Sequence, residues 1–85
     1  MHRRNNSATD RVVDVVQRLL RERSINRPIG TDDDLCAVGL TSLDMVNLML
    51  SIEAEFVLEI PESEIKPANF RSISTVASLV TALLK

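Results

Sequence analysis

Eighty-five residues make one domain, too short to wall in a deep substrate cavity. Apolar residues make up 45 % of the chain but aromatics only 2 %, both Phe, so the core is aliphatic and stacking on nucleic-acid bases is excluded as a main binding mode. The formal net charge of −2 is unevenly spread, with +4 over residues 1–27 and −6 over residues 28–85; an acidic body favours basic protein partners over DNA or RNA.

Residues 1–8, MHRRNNSA, are polar and aperiodic and read as a disordered basic tail, a solvated end with no apolar signal segment. The folded domain is expected over residues 9–85. From Thr9 or Asp10, Val12, Val15, Val16 and Leu19, with Val13 and Leu20 beside them, follow the three-four spacing of an amphipathic helix. Asp14, Gln17, Arg18, Arg21 and Glu22 fall on the other side. The valines favour a strand locally, but about fourteen residues without Gly or Pro exceed a strand's usual length, so the segment is a helix.

SINRPIGTDDDLCAVGL holds both glycines and one of the three prolines and reads as a long loop. Ile25, Ile29, Leu35 and Val38 are expected to tuck it against the helices. Asp32–Asp34 lacks the alternation of a calcium loop and reads as a solvated turn, capping a short helix at Leu35–Val38. Cys36 is the single cysteine, so no internal disulfide or Cys/His metal set is available, and a small, partly buried thiol is expected there. No apolar run reaches membrane-spanning length, which points to a soluble, cytoplasmic protein without membrane insertion.

A second helix is expected from Ser42 to about Phe56. Pro61 and Pro67 then bracket ESEIK, leaving room for one short helix. The last helix begins near SIST, capped by Ser72 or Ser74, with Val76, Leu79, Val80, Leu83 and Leu84 on its apolar face. The expected architecture is all-α, a small four-helix bundle with a long loop between helices 1 and 2 and a short helix 3.

The polar cluster TSLD sits where the loop becomes the second helix. With Thr41 as N-cap, Asp44 lies three positions on, where an acid completes a capping box and meets the positive helix end. Ser42 is then the first helical residue, with a hydroxyl free of structural duty. The bland alternative makes Ser42 the cap and nothing more. Leu48, Met49, Ile52 and Phe56 make one apolar face. Leu43, Val46 and Leu50, at i, i+3 and i+7, make a second, flanked by Asp44, Asn47, Glu53 and Glu55. One face suffices to hold a bundle; the other, rimmed with acids, is a candidate docking surface.

DLCAVGLTSLDMVNLMLSIEAEFVLEIPESEI resembles the core of an acyl carrier protein, a family that includes the peptidyl carrier domains of modular synthetases. The matching features are Leu35 in the loop, Gly39 before the serine, SL opening the helix and EAEFVLEIP closing it; weaker similarity runs from Val12 to Leu84. The resemblance implies the acyl-carrier bundle and 4′-phosphopantetheine transferred from coenzyme A to Ser42 by a phosphopantetheinyl transferase. Acyl groups are then carried as thioesters to partner enzymes, and the chain itself is no enzyme, in keeping with the absence of any Ser/His/Asp or Cys/His set. Leu43, Asp44, Val46, Asn47, Leu50, Glu53 and Glu55 become the partner surface of a monomeric carrier. Thr41 stands where fatty-acid carriers usually have an acid, and Asn47 replaces another, which favours a specialised lipid or secondary-metabolite pathway. ANFRSISTV, with Phe70 before Ile73, resembles peptidyl and aminoacyl carriers, and GLTSLDMVNLMLSIEAEF is similar to stand-alone aminoacyl carriers.

Three functions follow. The main one is an acyl carrier serving a loading ligase and downstream acyltransferases or synthases. Its alternative is a stand-alone aminoacyl carrier loaded by an amino acid:carrier protein ligase. A helical interaction module that is never modified is the third. Phe70 is expected as a core plug, and Met45 and Met49 as ordinary, adaptable interior.

Overall fold

The computed structural model describes residues 7–84. Three α-helices, α1 (Ala8–Glu22), α2 (Ser42–Phe56) and α3 (Ile73–Leu83), carry the fold, and α1 packs against both of the others. Among the described residues there is no strand. Part of the expected tail belongs to the domain: Ser7 accepts the Asp10 N–H on its hydroxyl at 3.2 Å and caps α1, so the helix starts at Ala8. The rest of the expected tail, residues 1–6, lies outside the described residues.

Each helix contributes one stripe to a single aliphatic core. Val12, Val15, Val16, Leu19 and Leu20 come from α1, Leu48, Ile52 and Phe56 from α2, and Ile73, Val76, Ala77, Leu79 and Val80 from α3. Leu35, Val38 and Leu40 bury beneath the long loop, with Ile25 and Ile29 half-buried beside them, as their apolar character requires. Two backbone bonds staple that loop to the start of α3: Leu35 N–H to the Arg71 carbonyl at 2.8 Å and Ser74 N–H to the Thr31 carbonyl at 2.9 Å. Ser72 caps α3 in a reciprocal box with Thr75, the choice between Ser72 and Ser74 thus falling on the first.

Among the described residues the α-helices number three, and the short helix expected between Pro61 and Pro67 is of the 3-10 kind. Between the prolines the chain makes one 3-10 turn, Glu62–Glu64, and a second, Pro67–Phe70, begins at the later proline. Lys66, forced out of the helical region by the proline after it, is extended at φ −141° and ψ 152°, so a helix cannot run through it. Pro67 then opens the second turn, and the Asn69 amide ties the two together by donating to the Glu64 carbonyl at 2.8 Å. The short helix expected at Leu35–Val38 is likewise a run of turns, held by the Asp34 carboxylate accepting the Cys36 N–H at 2.9 Å.

Both ends that flank the loops use left-handed residues. Ser24, at φ 57°, closes α1 with the Ile25 N–H reaching back to the Leu20 carbonyl at 2.9 Å. Val57 closes α2 at φ 52° with its side chain 90 % exposed, a strained place for a β-branched residue that gains no burial. Val57→Asn is therefore expected to stabilise the fold by about 0.5–1 kcal/mol and raise Tm by a few degrees. Thermal unfolding by circular dichroism checks this, and an unchanged or lower Tm would contradict it.

Candidate functional site

The start of α2 is built around Thr41. Its backbone is extended, at φ −94° and ψ 175°, and its hydroxyl oxygen accepts the Asp44 N–H at 3.2 Å. The Asp44 carboxylate answers by accepting the Thr41 N–H at 2.8 Å and the Thr41 hydroxyl at 3.0 Å. Arg23, just past the end of α1, approaches the same carboxylate oxygen at 3.4 Å. Asp44 is only 3 % exposed. The Thr41 backbone N–H, above all, holds its carboxyl below the usual 3.8; burial pulls the other way, while the Thr41 hydroxyl and the Arg23 charge add to the lowering.

Because Thr41 takes the cap, Ser42 is the first residue of α2 and is exposed. Its hydroxyl has no hydrogen-bond partner among the described residues, and the unpaired N–H groups of a helix start lie beside it. Gly39 makes the approach to this corner possible. It sits at φ +116°, and a Cβ there would come within 3.3 Å of the Ile25 side chain.

Ser42 forms part of the wall of an open, mainly apolar groove of about 710 Å³. Met45, Val46 and Met49 of α2 face Ile65, Pro67, Ala68 and Phe70 across it, and Asp34, Cys36, Lys66 and Arg71 complete the lining. Phe70 is buried, as a core plug should be, yet it also presents an edge to the groove. Met49 is half-buried here and does not belong to the fully buried stripe; Cys36, expected to be partly buried, is exposed. On the other flank of α2 a smaller groove of about 400 Å³ runs between Arg18 and Glu22 of α1 and Asn47, Leu50 and Ser51 of α2.

The second apolar stripe stands between these grooves as a ridge. Leu43 is 72 % exposed, Val46 47 % and Leu50 53 %, and Asn47 is exposed beside them. The acids expected around the ridge behave differently. Asp44, expected to steer partners from the surface, is turned inward by the cap and by Arg23, and that role is corrected. Glu53 accepts the Ile60 N–H at 2.8 Å and so braces the chain leaving α2. Glu55 pairs with Arg11 at 3.0 Å, and that guanidinium also lies 4.3 Å over the Phe56 ring. The contributions of Arg23, Lys66 and Arg71 have no local signature, since each reaches the site from a segment distant in sequence. Pro67, which restarts the chain alongside α2, is the one sequence signal that bears on the far wall. Among the described residues no three metal-binding side chains come together.

The described residues thus form a small all-helical domain with an exposed serine at the start of its second helix. The sequence profile of the family described as phosphopantetheine attachment site matches residues 10–83, and the chain belongs to that family. It is a carrier protein, not an enzyme, and its prosthetic group is 4′-phosphopantetheine, added by a phosphopantetheinyl transferase. Aminoacyl carrier protein 1 of Bradyrhizobium diazoefficiens is 41 % identical to it over 81 residues, covering 95 % of this chain and 90 % of that one. The aminoacyl carrier protein of Agrobacterium fabrum is 38 % identical over 56 residues, covering 66 % and 68 %. A crystal structure of Bradyrhizobium japonicum glycine:[carrier protein] ligase with glycylated carrier protein contains a chain 40 % identical, matching with a TM-score of 0.78 over 85 % of this chain and 96 % of that one. In the complex of that ligase with its cognate carrier and an analogue of glycyl adenylate, the match has a TM-score of 0.80 at 40 % identity, over 88 % and 96 %.

A carboxyl held below its ordinary value stabilises the fold fully above about pH 3.8, and that stabilisation is lost as the pH falls through its lower, folded value. Asp44→Asn is therefore expected to lower Tm at about pH 7, with the gap to the unsubstituted chain narrowing at about pH 2.5. Melting curves at the two pH values test this; a gap equal at both would show that the carboxylate charge contributes nothing.

Proposed function

We propose that this chain is an aminoacyl carrier protein, with Ser42 as the attachment point of the arm. When bound, the arm supplies a thiol that holds cargo as a thioester. The observation that carries the assignment to Ser42 is its free, exposed hydroxyl at the first position of α2, released from capping by Thr41. The helix start offers positive potential to the negative phosphodiester, which favours modification at that hydroxyl over one deeper in the helix. Ser42 also lines the groove of about 710 Å³, so an arm attached there leaves along an apolar surface and not through the core.

The exposed ridge of Leu43, Val46, Asn47 and Leu50 is the surface we assign to partner enzymes: the transferase, an amino acid:carrier protein ligase and the enzymes that receive the cargo. Identity of 38 to 41 % with aminoacyl carriers over most of the chain favours this pathway class over lipid or secondary-metabolite synthesis. A small amino acid needs no buried chamber, which suits a domain whose stripes close tightly on one core. No helix among the described residues is long and apolar enough to cross a membrane.

Incubation with coenzyme A and a broad-specificity phosphopantetheinyl transferase is expected to add one arm, seen by intact mass, and Ser42→Ala to abolish the addition. An arm on Ser42→Ala, or none on the unsubstituted chain, would overturn the site. The holo chain is then expected to accept glycine from ATP and the Bradyrhizobium japonicum ligase as a hydroxylamine-labile adduct. Loading by an acyl-carrier synthetase with a fatty acid, and by no amino acid ligase, would return the chain to the lipid reading.

A further inference from the structure

We infer that this carrier docks through an uncharged apolar ridge flanked by cations, and that it fits a ligase surface whose apolar depression is edged by carboxylates. The inference rests on the aminoacyl reading above. It reverses the expectation, drawn from the acidic body of the sequence, that α2 presents acids to basic partners.

All three acids of α2 have partners within the fold, although only Asp44 is buried and Glu53 and Glu55 stay half-exposed. Asp44 is buried in the cap against Thr41 and Arg23, Glu53 holds the Ile60 N–H, and Glu55 holds Arg11. The ridge itself, Leu43, Val46, Asn47 and Leu50, carries no charge. Charge reaches its flanks only from the groove walls. On one side stand Arg18 and Glu22, on the other Lys66, Arg71 and Asp34. None of the three cations has an ion-pair partner among the described residues, and neither have Glu22 and Asp34, so the groove walls carry three positive charges against two negative ones. Most of the acid excess of the chain, Asp32, Asp33, Glu59, Glu62 and Glu64, lines neither groove.

Exposed leucine and valine side chains supply the contact area, and the charges beside them set which rims are tolerated. A basic rim would face Arg18, Lys66 and Arg71 across a closing interface, and like charges there are disfavoured. Carboxylates would meet three unpaired cations, and the encounter would be accelerated at low salt.

The test uses the holo chain, its arm verified by mass, with the Bradyrhizobium japonicum ligase as probe. Titration calorimetry reads the Kd and glycylation reads kcat/KM. The combined variant Arg18→Glu, Lys66→Glu, Arg71→Glu is expected to weaken both by about tenfold or more and to flatten the salt dependence of Kd. Glu53→Gln with Glu55→Gln is expected to leave both within about twofold. Melting curves confirm that each variant folds, and a combined variant that does not fold is replaced by the three single ones, each expected to weaken binding. Weaker binding by the glutamine variant together with unchanged or tighter binding by the cation-reversed chain would overturn the inference while leaving the aminoacyl reading intact. A verified holo chain that accepts no glycine and binds no ligase would defeat both.

Discussion

Thr41 and Asp44 exchange three hydrogen bonds across the first turn of α2, and Arg23 closes on the same carboxylate from the end of α1. This knot determines where α2 begins and locks that point to α1. Three consequences follow from it. Ser42 becomes the first helical residue with a hydroxyl that has nothing to satisfy; the long loop must arrive in an extended conformation at Thr41; and Gly39 must turn left-handed two residues earlier to bring it there. A buried carboxylate is tolerable only because each of its contacts favours the charged form.

The helix that starts at this knot is divided lengthwise. Leu48, Ile52 and Phe56 face the core, while Leu43, Val46 and Leu50 stand out between two grooves. The division is set by the period of the helix and by α1 being the helix that α2 packs against, so the second apolar stripe is left largely exposed. Such an exposed apolar stripe is the kind of surface that partners use, and it is the one proposed above for docking. Around it the side chains that look most like recognition charges in the sequence serve as internal braces, Glu53 for the exit of the chain from α2 and Glu55 for Arg11.

Periodicity made the three long helices legible, and cap chemistry made one start legible to the residue, Ser42 after Thr41, while the start of α3 was left between Ser72 and Ser74 as caps. The first start was displaced by one residue because Ser7 caps from a stretch with no apolar pattern. The segment between Pro61 and Pro67 was less legible, since a proline limits the residue before it without saying whether the remaining residues coil into an α-helix or into 3-10 turns. Cys36, expected to be partly buried, is exposed, and Met49 packs against the core while only partly buried, for a different reason. Their neighbours, the Ile65–Arg71 segment across the groove, come from far along the chain, and burial depends on neighbours.

The amino-acid sequence by itself determined the class of this protein: an all-helical carrier domain, its second helix starting at Ser42, and the cap that frees that serine. These are local matters, decided by residues three or four apart, where spacing and side-chain chemistry act directly on the backbone. Only the tertiary structure decided which charges are engaged within the fold. How Asp44, Glu53 and Glu55 are held depends on Arg23, Ile60 and Arg11, which reach them through packing; the ion pairs with Arg23 and Arg11 offset the charges of Asp44 and Glu55, while Glu53 keeps its own.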